Sequence, residues 1–439
     1  MAMKIASASI KLNNIRSYIA ANVDLQLTQR SAPRLYIQGP PGAGKSMIME
    51  EICRENGWGL KCQYISNCAL EYLTGLPCKV EHGKTVEWSK PAILNTENLD
   101  YCPPNYEKGK TPVIILFDDF HLCDRVMQKY MFQLLTYKGL NDYRLDDNIA
   151  IILAGNRITD KAGAMPIPAP VCNRMMFVEV EVDAQDWLMN FAFKNNVRDD
   201  IISFIHNKGD VYLSMNPIES ASWASPRAWT YLGSQMDSYE KRFGKISLDV
   251  LRVMAVGEVG PEAASEFITY RELFAKWDFD KLCKRNIKEL SVEFAEESKK
   301  NPTSIYAIIS AAVSWMVRIY RENDYDVNNE TVKKAAEFTY DVLTSFLLMR
   351  IKGVNPVPMV LAGTQFINLY SSSDGNNNDT KTRRLSKLFL SNLSRDRDLD
   401  YLFLEIISNI FHAKLEEEDI ERIKQAKKNL SYNNKVIED

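Results

Sequence analysis

The chain has 439 residues, with 54 Lys and Arg against 57 Asp and Glu, a formal net charge of −3, and 46% hydrophobic residues. At roughly 150 residues per domain the length allows two or three domains, each able to bury a core without staples. The charge balance argues against a dedicated polyanion binder, and 8 cysteines without a CxxC pair, beside only 4 histidines, argue against a structural zinc site or a secreted disulfide framework.

Residues 1–30 read as a helix followed by a polar approach, with no apolar stretch of signal-peptide length. The longest apolar runs, such as Val113–Phe117 and Ile149–Ala154, fall far short of the ~20 residues that cross a bilayer. A reduced, cytoplasmic protein without a membrane span is therefore expected. From 34 to 182, short apolar runs alternate with helical stretches, the pattern of an α/β domain whose parallel sheet is covered by helices. Strands are expected at Arg34–Gln38, Thr111–Phe117, Ile149–Ala154 and Met176–Val182, continuous in apolar character because both faces are buried.

The first of these runs into Gly39-Pro40-Pro41-Gly42-Ala43-Gly44-Lys45-Ser46, which fits the phosphate-loop pattern GxxxxGK[ST]. Glycines let successive backbone N–H groups turn inward on phosphate oxygens. Lys45 then reaches the β- and γ-phosphates and the Ser46 hydroxyl ligates Mg²⁺. A helix from about Lys45 to Glu55 aims its positive end at the anion, so the nucleotide contacts are placed at Gly39, Pro40, Pro41, Gly42, Ala43, Gly44, Lys45, Ser46 and Met47.

The second run delivers two acids at its end, Asp118 to hold Mg²⁺ and Asp119 to polarise the attacking water. The third ends in Gly155-Asn156-Arg157, where the Asn156 amide can bond the lytic water or the γ-phosphate without adding charge. An ordinary turn is the plainer reading of that pair. Arg174 and Arg227 are candidate cations for transition-state charge, supplied in cis or from a neighbouring subunit, although each alone reads as a surface ion-pair partner. His121, just past the acids, reads as a packed or solvated side chain, and Cys123 and Cys172 as ordinary thiols.

The order GPPGAGKS, VIILFDD, ILAGNR, PVCNRM and SPRAW resembles the AAA+ ATPases, and more narrowly the MoxR-like branch related to midasin, dynein and McrB-type motors. Leu73–Pro77, Val86–Pro91 and Asp183–Trp187 add local matches, and the resemblance spans residues 30–245. It implies a P-loop AAA+ core over 1–182 and a small α-helical lid over 183–290; beyond these the residue pattern reads as an all-helical C-terminal extension over 291–439, with a polar linker at 371–384. It makes Gly39, Gly44, Lys45 and Ser46 the Walker A site, Asp118 and Asp119 Walker B, Asn156 sensor 1, Arg227 sensor 2, and Arg174 an arginine finger reaching into the next subunit. It also implies ATP and Mg²⁺ as cofactors, a hexameric homo-oligomer, and a hairpin insertion at Cys78–Lys90 with Glu81-His82-Gly83 as its turn.

The family's second acid is ordinarily Glu. Asp119 draws its carboxylate back by about 1.5 Å, a misplacement that can cost ~100-fold in rate. Slow hydrolysis is expected, in a chaperone-like ATPase acting on a protein client. A nucleotide-bound scaffold and a nucleic-acid motor are the alternatives. The acidity and the lack of an added DNA-binding motif count against the motor, and the basic cluster at Lys381, Arg383, Arg384 and Lys387 reads as solvated charge. Beyond 290, helices are expected from Thr303 to Arg321 and from Glu330 to Lys352, the latter capped by Asn329 and stopped by Gly353.

Overall fold

The computed structural model describes residues 9–80, 85–160, 163, 165–192, 195, 197–215, 221–300, 303–323, 326–351, 421 and 425. The linker at 371–384, the basic cluster beside it, Gly353 and the hairpin turn at 81–84 lie outside the described residues.

Strand β1 (Ser9–Lys11) leads into helix α1 (Ile15–Thr28), and β2 (Arg34–Gln38) runs through the glycine-rich loop into α2 (Lys45–Asn56). Then come β3 (Gly59–Tyr64), α3 (Leu70–Thr74) and an antiparallel hairpin of β4 (Pro77–Val80) and β5 (Thr85–Trp88), inside the stretch where an insertion was expected. Next are β6 (Val113–Asp118), α4 (Arg125–Tyr137), and a short hairpin of β7 (Gly139–Leu140) and β8 (Tyr143–Arg144). Last are β9 (Ile149–Gly155), α5 (Ala169–Cys172) and β10 (Met175–Glu181).

Six of these strands form one sheet in the order β1-β10-β2-β9-β6-β3, every pairing parallel. The apolar strands are continuous because alternate residues feed two cores. Ile114 and Leu116 of β6 and Ile152 and Ala154 of β9 join Ile19 and Val23 of α1 and Met49 and Ile52 of α2 on one face. Ile115 and Phe117, with Ile151 and Leu153, pack against Met131 and Leu134 of α4 on the other. The fold is thus α/β, a parallel sheet between helices, as the alternating pattern predicts.

Two sheet strands escaped that pattern. β3 is an edge strand whose Lys61, Cys62 and Gln63 are only half-buried, so its sequence is mixed, and β1 is three residues at the opposite edge.

By its internal contacts the chain divides into two units, the first made of residues 1–187, 210–232 and 257–261, and the second of the remainder. Helices α6 (Ala184–Trp187) and α8 (Asp210–Leu213) belong to the first, and α7 (Asp199–Lys208) to the second. The chain continues through α9 (Pro226–Phe243), α10 (Leu248–Val259), α11 (Pro261–Lys276), α12 (Phe279–Leu282), α13 (Ile287–Lys300), α14 (Thr303–Glu322) and α15 (Glu330–Ile351). Pro226 opens α9 at the first helical position, where its missing N–H costs nothing. Asn329 caps α15 as expected, its Oδ1 accepting from the Thr331 amide at 2.8 Å.

The described residues of the second unit form helices. Phe204 packs edge-on against Phe267 and Tyr270, with centroids 5.5 and 5.7 Å apart. Beside them Asp200 takes Arg198 at 3.1 Å and Arg271 at 3.0 Å, while Glu240 takes the same two arginines at 2.7 and 3.2 Å. No helix among the described residues is long and apolar enough to cross a membrane.

Candidate functional site

The loop between β2 and α2 has the backbone an anion site needs. Gly42 and Gly44 sit at φ 76° and 93°, which L side chains rarely adopt. A Cβ on Gly42 would also stand 2.8 Å from Ser225 Oγ, so the residue must be glycine twice over. Gly44 caps α2 without a side-chain bond, which leaves the helix's first amides to a ligand. Met47 lies in the first turn of α2 and is 50% exposed.

Lys45 is buried, and its Nζ donates to the Gly39 and Pro40 carbonyls and to Asn156 Oδ1, each at 2.9 Å. Burial pulls its pKa down to about 8, partly offset by the Asp118 charge. Ser46 Oγ hydrogen-bonds Asp118, a strand away in space and 72 residues away in sequence. Ser46 and Asp118 therefore present the small set of hard oxygens from which Mg²⁺ is held together with substrate phosphates. The loop, the lysine and this oxygen pair fit an Mg–nucleotide.

The sheet order explains the convergence. β2, β9 and β6 are consecutive neighbours, so the phosphate loop, Asn156 and Asp118 leave one edge of the sheet side by side. Asp119 takes the left-handed conformation, φ 53°, and turns the chain sharply off β6. Aspartate tolerates that region far better than most residues. The following turn brings His121 back under Asn156.

Arg227 lies beside the loop, its amide donating to Gly42 O at 3.2 Å. Arg174 lies at the other end of the strand. It precedes β10, whose Met175 pairs with Arg34 at the start of β2, so about 15 Å of strand separates it from the phosphate loop. There its Nε donates to Thr136 Oγ1 at 2.8 Å, another guanidinium nitrogen donates to Pro170 O at 2.7 Å, and the group lies 4.1 Å over the Phe132 ring. The structure thus brings Lys45, Ser46, Asp118, Asn156 and Arg227 together, and keeps Arg174 away from them.

Arg157 and Ser225 were given no role from the sequence, and His121 was read only as packed or solvated. Arg157 grips buried Asp160 through two nitrogens and reaches Glu179 of β10 at 2.9 Å, spanning the end of β2. Ser225 packs on Gly42, and His121 contacts Asn156. Each stands within three residues of a motif residue, the only signal they carried. Burial pushes the Cys123 and Cys53 thiols up to about 12, as ordinary apolar thiols.

No protein-family model matches the chain, and no curated protein matches it. Among solved structures, RuvB of Thermotoga maritima, described as a Holliday junction branch migration motor, aligns at a TM-score of 0.33 with 11% identity, over 65% of this chain and 82% of that one. A mutant form of it aligns at 0.33 with 10% identity over the same shares, 65% and 82%. Likenesses that distant carry no argument; the fold rests on the sheet order and the loop geometry.

Proposed function

We propose that the chain is an Mg²⁺-dependent ATPase of the AAA+ type, MoxR-like in its motif order, that works as a ring and remodels or assembles a protein complex. The observation that carries the reading is Lys45, Ser46, Asp118 and Asn156 meeting at one edge of three neighbouring strands, beside a loop whose Gly42 and Gly44 take the left-handed backbone. In this reading Gly39 to Met47 enclose the phosphates, Ser46 and Asp118 hold Mg²⁺, Asp119 orients water, and Arg227 senses the γ-phosphate.

Arg174 supports a shared site. It lies at the far end of the strand from its own phosphate loop, which fits a guanidinium that acts on a neighbouring copy rather than in cis. A guanidinium supplied in trans is worth about 10³-fold or more in turnover. The test is ATP turnover across a protein dilution series. Turnover should rise with concentration, and Arg174→Ala should abolish it while nucleotide binding survives. Turnover that ignores both dilution and Arg174→Ala sinks the ring.

Asp119 favours slow hydrolysis, and at its limit slow hydrolysis is a nucleotide-bound scaffold. Asp119→Asn keeps the left-handed turn and removes the charge, so it should stop what turnover there is. An unchanged rate would show that Asp119 is not the group that activates water.

A further inference from the structure

An arginine side chain is long and mobile, so one that acts on a distant phosphate must have its rotamers frozen at each encounter unless its own subunit has fixed them. Arg174 is fixed in that way. Its carbonyl accepts the Arg34 amide at 3.0 Å, which ties its backbone to the start of β2. Its own amide donates to Val171 O at 3.0 Å, a tight last turn that gives the Pro170 carbonyl to the side chain, and Nη1 donates to that carbonyl at 2.7 Å.

Helix α4 holds the rest of the group. Phe132 and Thr136 stand four residues apart on it and so share a face. Thr136 Oγ1 gives its hydrogen to the Phe132 carbonyl at 2.7 Å, which leaves the oxygen lone pairs to accept from Arg174 Nε at 2.8 Å. The Phe132 ring lies 4.1 Å from the guanidinium carbon and covers one face of the group.

Every one of these partners is neutral. Among the described residues no carboxylate pairs with Arg174, and its Nη2 meets no acceptor. Arg157 and Arg198 are by contrast closed on carboxylates. A guanidinium held by its Nε edge and one face, with its charge unanswered and its outer nitrogen open, is set for an anion from outside its own chain.

We propose that Thr136 and Phe132 are positioning residues for Arg174. They hold it in its working pose through contacts of its own subunit, so docking of a second copy completes the shared site without reshaping the guanidinium. This rests on the ring ATPase reading above, and its test separates the two.

The full chain, dilute and without nucleotide, is labelled with ¹⁵N-arginine, and the Arg174 Nε–H signal is assigned by its loss in Arg174→Lys. That signal should exchange slowly with solvent in the parent and in Thr136→Ser, and fast in Thr136→Val, with Tm at the parent value. In turnover, at a protein concentration where the rate has levelled off, Thr136→Val should lower kcat about fivefold with KM inside about twofold, and Thr136→Ser should restore it. Phe132→Leu keeps the apolar volume but loses the ring face, and should lower kcat about threefold. Mixed subunits separate positioning from packing. Thr136→Val mixed with excess Lys45→Ala, whose Arg174 is intact, should match the parent mixed with the same excess. A fivefold gap that survives mixing marks a defect inside the subunit and overturns the proposal, as does an Nε signal indifferent to Thr136→Val. If Arg174→Ala abolishes turnover while Thr136→Val keeps the parent rate, the proposal falls and the ring reading stands. Turnover indifferent to Arg174→Ala overturns both.

Discussion

The edge of the sheet at β2, β9 and β6 and the polar cluster among α7, α9 and α11 both gather charged side chains, but they treat them in opposite ways. Around Asp200 each buried charge is answered: Arg198 and Arg271 share Asp200 and Glu240, and Arg198 also reaches Asp237 at 2.6 Å. At the sheet edge Lys45 is buried against carbonyls and an amide, its charge kept at a desolvation cost. A cluster that holds a fold together satisfies its charges internally. One that binds an anion leaves a charge under-satisfied until the anion arrives.

The largest effect should come from Lys45→Ala. Turnover should fall at least about 1000-fold, the scale of a lost transition-state cation. Thermal stability should hold within about 3 °C, because the removed ammonium is desolvated rather than paired with a carboxylate. A Tm loss well beyond that would mean Lys45 is structural, and the contrast would collapse.

Asp200→Ala should do the reverse. Removing a carboxylate that two arginines share should cost about 3 kcal/mol, the low end for a broken buried pair, because Glu240 still answers both cations. Thermal unfolding should show a fall of several degrees, while nucleotide affinity, measured well below the transition, stays at the parent value. Lost affinity in a folded variant would show that the helical cluster is part of the site.

The same contrast explains what was legible in the sequence. Phosphate chemistry demands residue types at fixed local spacing, so Gly42, Gly44, Lys45 and Ser46 could be read from eight positions and two flanks. Asp118 and Asn156 could be read because each ends an apolar strand. The strand order that seats β9 between β2 and β6 was not legible, since parallel pairing is decided by packing over long separations. His121, read as packed or solvated, is buried, but its contact with Asn156 was not legible, because it depends on β9 lying beside β6. The Asp200 cluster escaped for a similar reason, as Asp200 and Arg271 are 71 residues apart and ordinary in type.

The smallest expected effect sharpens the comparison with pH. His206 lies on α7, and burial lowers its pKa from 6.5 to about 4. The folded state therefore resists protonation that the unfolded chain accepts. Above pH 6.5 the ring is neutral in both states and contributes nothing. As pH falls from 6.5 to 4 the unfolded state takes up the proton first, and stability is lost. The full shift would be worth about 3 kcal/mol, and the part-exposed ring should deliver about 1–2 kcal/mol between pH 7 and 5. Thermal midpoints of parent and His206→Gln at the two pH values measure it. The parent should lose more than the variant, and equal losses would show that the acid sensitivity lies elsewhere. A histidine kept neutral by its surroundings is one more charge question that the helical unit settles internally, whereas Lys45 awaits a partner from outside the chain.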